Sequence, residues 1–182
     1  MATDYLADPA DLAAWLPVGE DDPKLLAALK ASSRRFRGAV RHPVTLTAGD
    51  VVTLDGTGRE SVLLPAAPVT AVASLLLDGE VLAVAVDFSW SADGFLRRLG
   101  YCWPDRLRCI EVTYSHGYAQ IPEDIQEVVV DQARAMYRVQ PGVQTIQAGG
   151  ESITYGVQAA AGVTAQWSAV VEKYQLNRGD RA

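Results

Sequence analysis

Four residues of this chain are of types that bind metals or move protons, and they sit close together in sequence: Cys102, Cys109, Ser115 and His116. A zinc site needs about four ligands at tight, paired spacings. Here the two cysteines are seven positions apart with Pro104 between them, and the other histidine, His42, lies far upstream. The thiols therefore read as core or strand residues, and no metal is expected. Ser115 and His116 are neighbours in a run of alternating polarity, and adjacent strand residues point to opposite faces, so they cannot act as nucleophile and base. No Gly-x-Ser-x-Gly elbow and no phosphate-cradling glycine loop with a lysine occurs. The acid pairs Asp21/Asp22 and Glu123/Asp124 stand at helix starts, where capping accounts for them. Arg178-Gly179-Asp180 matches an adhesion tripeptide, a pattern short enough to arise by chance. No catalytic residue, cofactor or metal ligand is assigned, and an enzyme is not expected.

Function must then come from how the elements are assembled. Asp8-Pro9 and Asp22-Pro23 both pair a capping aspartate with a proline at the first helical position. The first predicts a short helix to Leu16, and the second a longer one to about Val40 whose inner side carries Leu25, Leu29, Ser32 and Phe36. From Val44 to Tyr118 the period falls to two, with turn signals at Asp55-Gly56, Asp78-Gly79 and Asp93-Gly94. This predicts an antiparallel β meander that closes on Ile110-Glu111-Val112-Thr113-Tyr114-Ser115-His116 and stops at Gly117. Pro122, Glu123 and Asp124 then open a helix to about Arg138, with Ile125, Val128, Val129 and Ala133 in one stripe and Glu127, Asp131 and Arg134 on the other side. After Pro141-Gly142 the chain becomes glycine-rich, a loose hairpin is expected across Gly149-Gly150, and Thr164 caps a last helix from Ala165 to Tyr174. That helix is expected either to clasp a neighbour or to fold back on its own core.

The fold class is thus α+β. Two N-terminal helices and a central helix form a bundle core over residues 1–142, with the meander inserted at about 44–118. Residues 143–182 form a flexible arm tipped by the short helix. With 182 residues the chain can bury roughly 70% of its unfolded surface without a disulfide or metal. Its apolar runs are too short to span a bilayer, and Met1-Ala2-Thr3-Asp4 does not open a secretory signal, so a soluble intracellular protein with no membrane partner is expected. A net charge of −6 argues against a sequence-specific grip on nucleic acid. The exception is Arg34-Arg35-Phe36-Arg37 with Arg41, which reads as the solvated end of a helix or as a contact for phosphate or an acidic partner.

This succession resembles the head-to-tail adaptor (head completion, connector) proteins of tailed bacteriophages. The resemblance is carried by Leu25-Leu26-Ala27-Ala28-Leu29-Lys30-Ala31-Ser32-Ser33, by Val112-Thr113-Tyr114-Ser115-His116-Gly117-Tyr118 and by Ile121-Pro122-Glu123-Asp124-Ile125. The helix through Ala133-Arg134-Ala135-Met136-Tyr137, the Glu151-to-Tyr155 segment and Val171-Glu172-Lys173-Tyr174 complete it. It covers nearly the whole chain, with loosely patterned motifs.

The resemblance implies a structural virion protein at the capsid–tail junction, assembled in the host bacterial cytoplasm. Its implied partners are itself as a ring, typically a dodecamer, the portal protein, and a downstream tail-completion or stopper protein. Double-stranded DNA passes through without sequence-specific binding, and an acidic lumen suits that passage because it repels phosphate. On the family's layout Glu123, Asp124, Glu127 and Asp131 are expected to face the channel. Tyr155, Trp167, Val170, Val171 and Tyr174 are expected to dock on a neighbour or the portal, since aromatics dominate interface energy. The rival reading is a β-rich carbohydrate- or protein-binding module without catalysis, using Trp90, Tyr101 and Trp103 as a stacking platform.

Overall fold

The computed structural model describes residues 4–138, 145–148, 151–154 and 164–176. Two compact units emerge, one built on His42–Gln120 and the other on Thr3–Arg41 together with Ile121–Gln175.

The second unit is helical. Helix α1 (Pro9–Ala13) starts where the Asp8 carboxylate accepts the Ala10 N–H at 2.9 Å. It is shorter than its pattern suggested, because Trp15 and Leu16 close it with turn-type bonds to Leu12 and Ala13. Helix α2 (Pro23–Val40) is capped by Asp22, which accepts the Leu25 N–H at 2.8 Å. It ends at Arg41, whose left-handed backbone (φ 65°) lets its N–H reach the Arg37 carbonyl. Leu25, Leu29, Phe36 and Val40 are fully buried. Helix α3 (Glu123–Arg138) packs on α2 through Ile125, Val129 and Ala133. The buried Ser32 hydroxyl donates to the Val129 carbonyl at 2.7 Å, joining two helices 97 positions apart in sequence. Helix α4 (Ala165–Tyr174), capped by Thr164, packs against both α2 and α3.

The β unit departs from the expected meander. Strands β1 (Thr47–Leu54), β3 (Val69–Leu77), β4 (Glu80–Val81) and β7 (Ile110–His116) form a sheet in the order β1-β7-β3-β4. Strands β2 (Ser61–Leu63), β5 (Phe88–Trp90) and β6 (Phe95–Arg98) form a second sheet in the order β2-β6-β5. A meander would pair each strand with its sequence neighbour, whereas the last strand, β7, lies between β1 and β3. The physical reason is burial. Ile110, Val112 and Tyr114 are almost wholly inaccessible, so β7 takes a central position that an edge strand could not fill. Strand β1 carries a bulge between Thr47 and Asp50, where the Gly49 N–H (φ +64°) donates to the Ser115 hydroxyl. A third pair, β8 (Thr145–Ala148) with β9 (Glu151–Thr154), forms the expected hairpin.

Leu64, Leu75, Phe88, Leu96, Trp103, Ile110, Val112 and Tyr114 make the core of the β unit. Where the unit closes, Gly117 sits at φ +90°, and a Cβ there would lie 2.3 Å from the Thr45 carbonyl oxygen. Gly117→Ala is expected to destabilise the protein by about 2 kcal/mol or more, through left-handed strain plus this clash with backbone. Urea unfolding checks it, and a loss below about 0.5 kcal/mol contradicts the account.

Candidate docking and channel surfaces

The residues that first suggested chemistry are dispersed into packing roles. His116 is 1% exposed, and its Nε2 lies 3.2 Å from Asp50 Oδ2, tying β7 to the edge strand β1. Ser115 turns to the Gly49 N–H instead. Cys109 is buried with its thiol 3.3 Å from the Arg106 carbonyl, while Cys102 is exposed. His42 Nδ1 pairs with the Pro43 carbonyl at 2.8 Å. Among the described residues no group of three or more His, Cys, Asp or Glu could hold a metal ion. Burial foremost, then the Asp50 carboxylate, raises the Tyr114 phenol to about 12, so it stays neutral at any physiological pH.

The aromatic platform of the rival reading is not assembled. Trp103 is 1% exposed and spends its indole N–H on the Leu96 carbonyl. Tyr101 is exposed, and the Arg98 guanidinium lies 5.9 Å from its ring centre and 5.5 Å from that of Trp103. Stacking a sugar needs open ring faces, and Trp103 offers none.

The four acids assigned to a channel separate into two environments. Glu123, Glu127 and Asp131 are exposed and four residues apart, so they form one row along α3. Asp124 turns away from that row. Its carboxylate accepts Lys173 Nζ at 2.7 Å and the Tyr174 hydroxyl at 2.9 Å, which fastens the end of α4 to the start of α3. Sequence spacing could not separate Asp124 from its neighbours, because its partners lie about fifty positions downstream.

Beside the acidic row runs a groove of about 570 Å³ between α1 and α3, lined by Asp11, Trp15, Glu127, Val130, Asp131 and Arg134 among others. Trp15 is 62% exposed there, with the Arg134 guanidinium 5.2 Å from its ring centre. In a helix running on to Leu16, as the sequence predicts, Trp15 would share a face with the buried Leu12. The helix ends before Trp15, so the side chain leaves the buried face.

The docking residues of α4 are occupied within the chain. Trp167 is 5% exposed and meets Phe36 edge-on at 5.4 Å, and Val170 is buried beside it. Val171 and Tyr174 are half-buried. Of the two courses open to this helix, the structure shows it folded back on its own unit. Tyr155 lies outside the described residues, as does the Arg178-Gly179-Asp180 tripeptide.

Two outcomes follow for α4. Trp167→Ala removes an interior indole worth about 3–5 kcal/mol in comparable sites, so α4 should detach and its amides should lose hydrogen-exchange protection while the β unit keeps its own. The second concerns acid. Burial alone raises the Asp124 carboxyl, but the hydrogen bonds from Lys173, Tyr174 and the Ile125 N–H outweigh it and hold it below its usual 3.8. A depressed carboxylate stabilises above its unfolded value and stops doing so as pH falls through the folded one. Protection of α4 should therefore fade selectively below about pH 4, and Asp124→Asn should flatten that dependence.

Comparison with known proteins places this arrangement. The chain matches the family described as head completion protein (HCP) over residues 13–176. No curated protein matches it. Its fold is similar to a chain in the neck of the native GTA particle computed with C12 symmetry, with TM-score 0.63 and 19% identity over 100% of this chain and 95% of that one. A chain in the neck of the empty GTA particle computed with C6 symmetry gives 0.64 and 19% over the same shares. A chain in the virion of the native gene transfer agent (GTA) particle gives 0.65 and 17%, again covering 100% and 95%. A match that takes in both helical segments and the whole β unit between them assigns the chain to the head completion protein family, whose members are structural virion proteins and not enzymes.

Proposed function

We propose that this protein is a head-to-tail adaptor. Copies assemble as a ring, a dodecamer by the symmetry of the similar neck, between the portal protein and a tail-completion or stopper protein, with double-stranded DNA passing through the centre. The observation that carries this reading is the family match across residues 13–176, joined to a likeness in fold that spans the whole chain and 95% of a neck component. The helical bundle with an inserted β unit and a terminal α4 is the protomer of that ring.

Within it, the exposed row Glu123, Glu127 and Asp131 faces the lumen, where fixed negative charge keeps phosphate from adhering. Asp124 contributes to α4 retention instead, since its charge is matched by Lys173. Docking through α4 works with that helix seated: Trp167, Val170 and Tyr174 hold it in place, and its outer face with Val171 meets the neighbour or the portal. Tyr155 takes part from the adjoining segment.

Glu123→Lys tests the lumen. It lies outside the Trp15 groove, and the variant should assemble into particles at normal yield yet package or eject DNA several-fold more slowly, with the delay relieved by added salt. Unchanged DNA passage at low salt would remove the row from the channel.

A further inference from the structure

The helical unit carries two exposed surfaces that differ in character. The first is the Trp15 groove. Its rim holds Asp11, Glu127 and Asp131, and the single cation lining it is Arg134, whose contact with Asp131 is a loose 3.9 Å. A largely exposed indole with three carboxylates and only Arg134 beside it is a receptor for a further guanidinium or ammonium group, which gains cation–π attraction and charge-assisted hydrogen bonds together. The second surface lies on α2. Lys24, Ala27, Ala31, Arg34 and Gly38 are all exposed and spaced alternately by three and four, so they form one stripe along the helix, and the exposed cap residue Arg41 follows just beyond its end. It consists of cations separated by small residues. At Gly38 nothing stands within 4 Å of where a Cβ would be, so another helix can approach closely there. The groove takes no lining residue from α2, and one chain therefore presents both surfaces at once.

We infer that the groove is filled by the α2 stripe of a second copy of this chain. Arg34, with the exposed cap residue Arg41 beyond the helix end, engages the Trp15 indole and the carboxylates of Asp11, Glu127 and Asp131. The choice of occupant follows from charge: the groove is net acidic, and the stripe is the densest exposed basic feature of the same helical unit. Two unlike, complementary surfaces on one chain make a head-to-tail contact, which closes into a ring when the rotation per copy allows it. This rests on the ring reading above and names its seam. The acidic row is then the lumenal lip of each seam: Glu123 is fully open to the channel, and Glu127 and Asp131 are shared with the neighbouring copy.

Charge reversal of the full-length chain tests it, with assembly followed by native mass spectrometry and folding by thermal melts. Arg34→Glu and Glu127→Arg should each raise the concentration for half-assembly by at least about tenfold, since like charges then meet across every seam. An equimolar mixture of the two variants should recover assembly, because an alternating ring matches every contact, and so should the chain carrying both changes. Trp15→Ala should weaken assembly without altering the melt of the β unit. If the unmodified chain forms rings and both reversed chains form them equally well, the seam lies elsewhere and this inference falls while the ring reading stands. Normal rings that fail only to join the particle also overturn it, and assign the groove to a basic segment of another virion protein. If the unmodified chain forms no ring, in solution or on particles, the ring reading itself fails.

Discussion

The constraint on which the rest depends is closure of the β unit. The helical unit is made from two stretches of chain with about eighty residues between them, so the insertion must bring its two ends together. It does so with backbone. The Leu46 N–H donates to the Tyr118 carbonyl and the Tyr118 N–H to the Val44 carbonyl, both at 2.9 Å, and the Gly117 N–H reaches the Pro68 carbonyl at 2.8 Å. Gly117 is the residue that permits this, because its φ of +90° and the absence of a side chain let the outgoing strand pass against Thr45. With the ends fixed side by side, α2 and α3 can meet as if they were consecutive, and the buried Ser32–Val129 hydrogen bond sets their register. Fixing the ends also lowers the loop-closure entropy that so long an insertion would otherwise cost the bundle.

Once α3 is held on α2, its side chains divide by angle. Ile125, Val128, Val129 and Ala133 go inward, Asp124 turns to α4, and Glu123, Glu127 and Asp131 remain in water. One helix therefore faces the bundle interior, α4 and solvent through different residues. Asp124 also shows why an acidic residue count is a poor guide to surface potential. Its charge is cancelled within the chain, whereas the row keeps its charge because the nearest cation, Arg134, is also occupied by the Trp15 face.

Much of this was legible in sequence where the signal is local. The caps at Asp22 and Thr164 and the proline start before Glu123 gave α2, α3 and α4 with the boundaries observed, since those signals act within one turn. Sheet order was not legible. The alternation in Ile110–His116 shows one buried face but carries no information on which strands lie either side, and β7 pairs with residues more than thirty positions away on both edges. The place of Trp15 was not legible, because periodicity assumes that the helix continues, and α1 ends at Ala13. The seat of α4 was equally hidden, for Trp167 and Phe36 lie on segments whose contact depends on the whole bundle.

The proposed seam has an energetic consequence for how such a protein stays manageable before assembly. An exposed ion pair contributes about 0–1 kcal/mol, and a cation on an exposed indole about the same, so a single α2-to-groove contact between two copies is weak. A free chain with a net charge of −6 also repels its own kind. Closure changes the balance, because every copy in a ring makes the contact on both flanks and the last contact forms without further loss of translational freedom. Weak, unlike surfaces thus favour monomers when the chain is dilute and a complete ring when copies are gathered on a template. A strong apolar interface would instead drive premature filaments whenever the rotation failed to close. The polar character of the two surfaces is therefore what a ring-forming component needs, and the absence of a large apolar face from the α2 stripe follows from the same requirement.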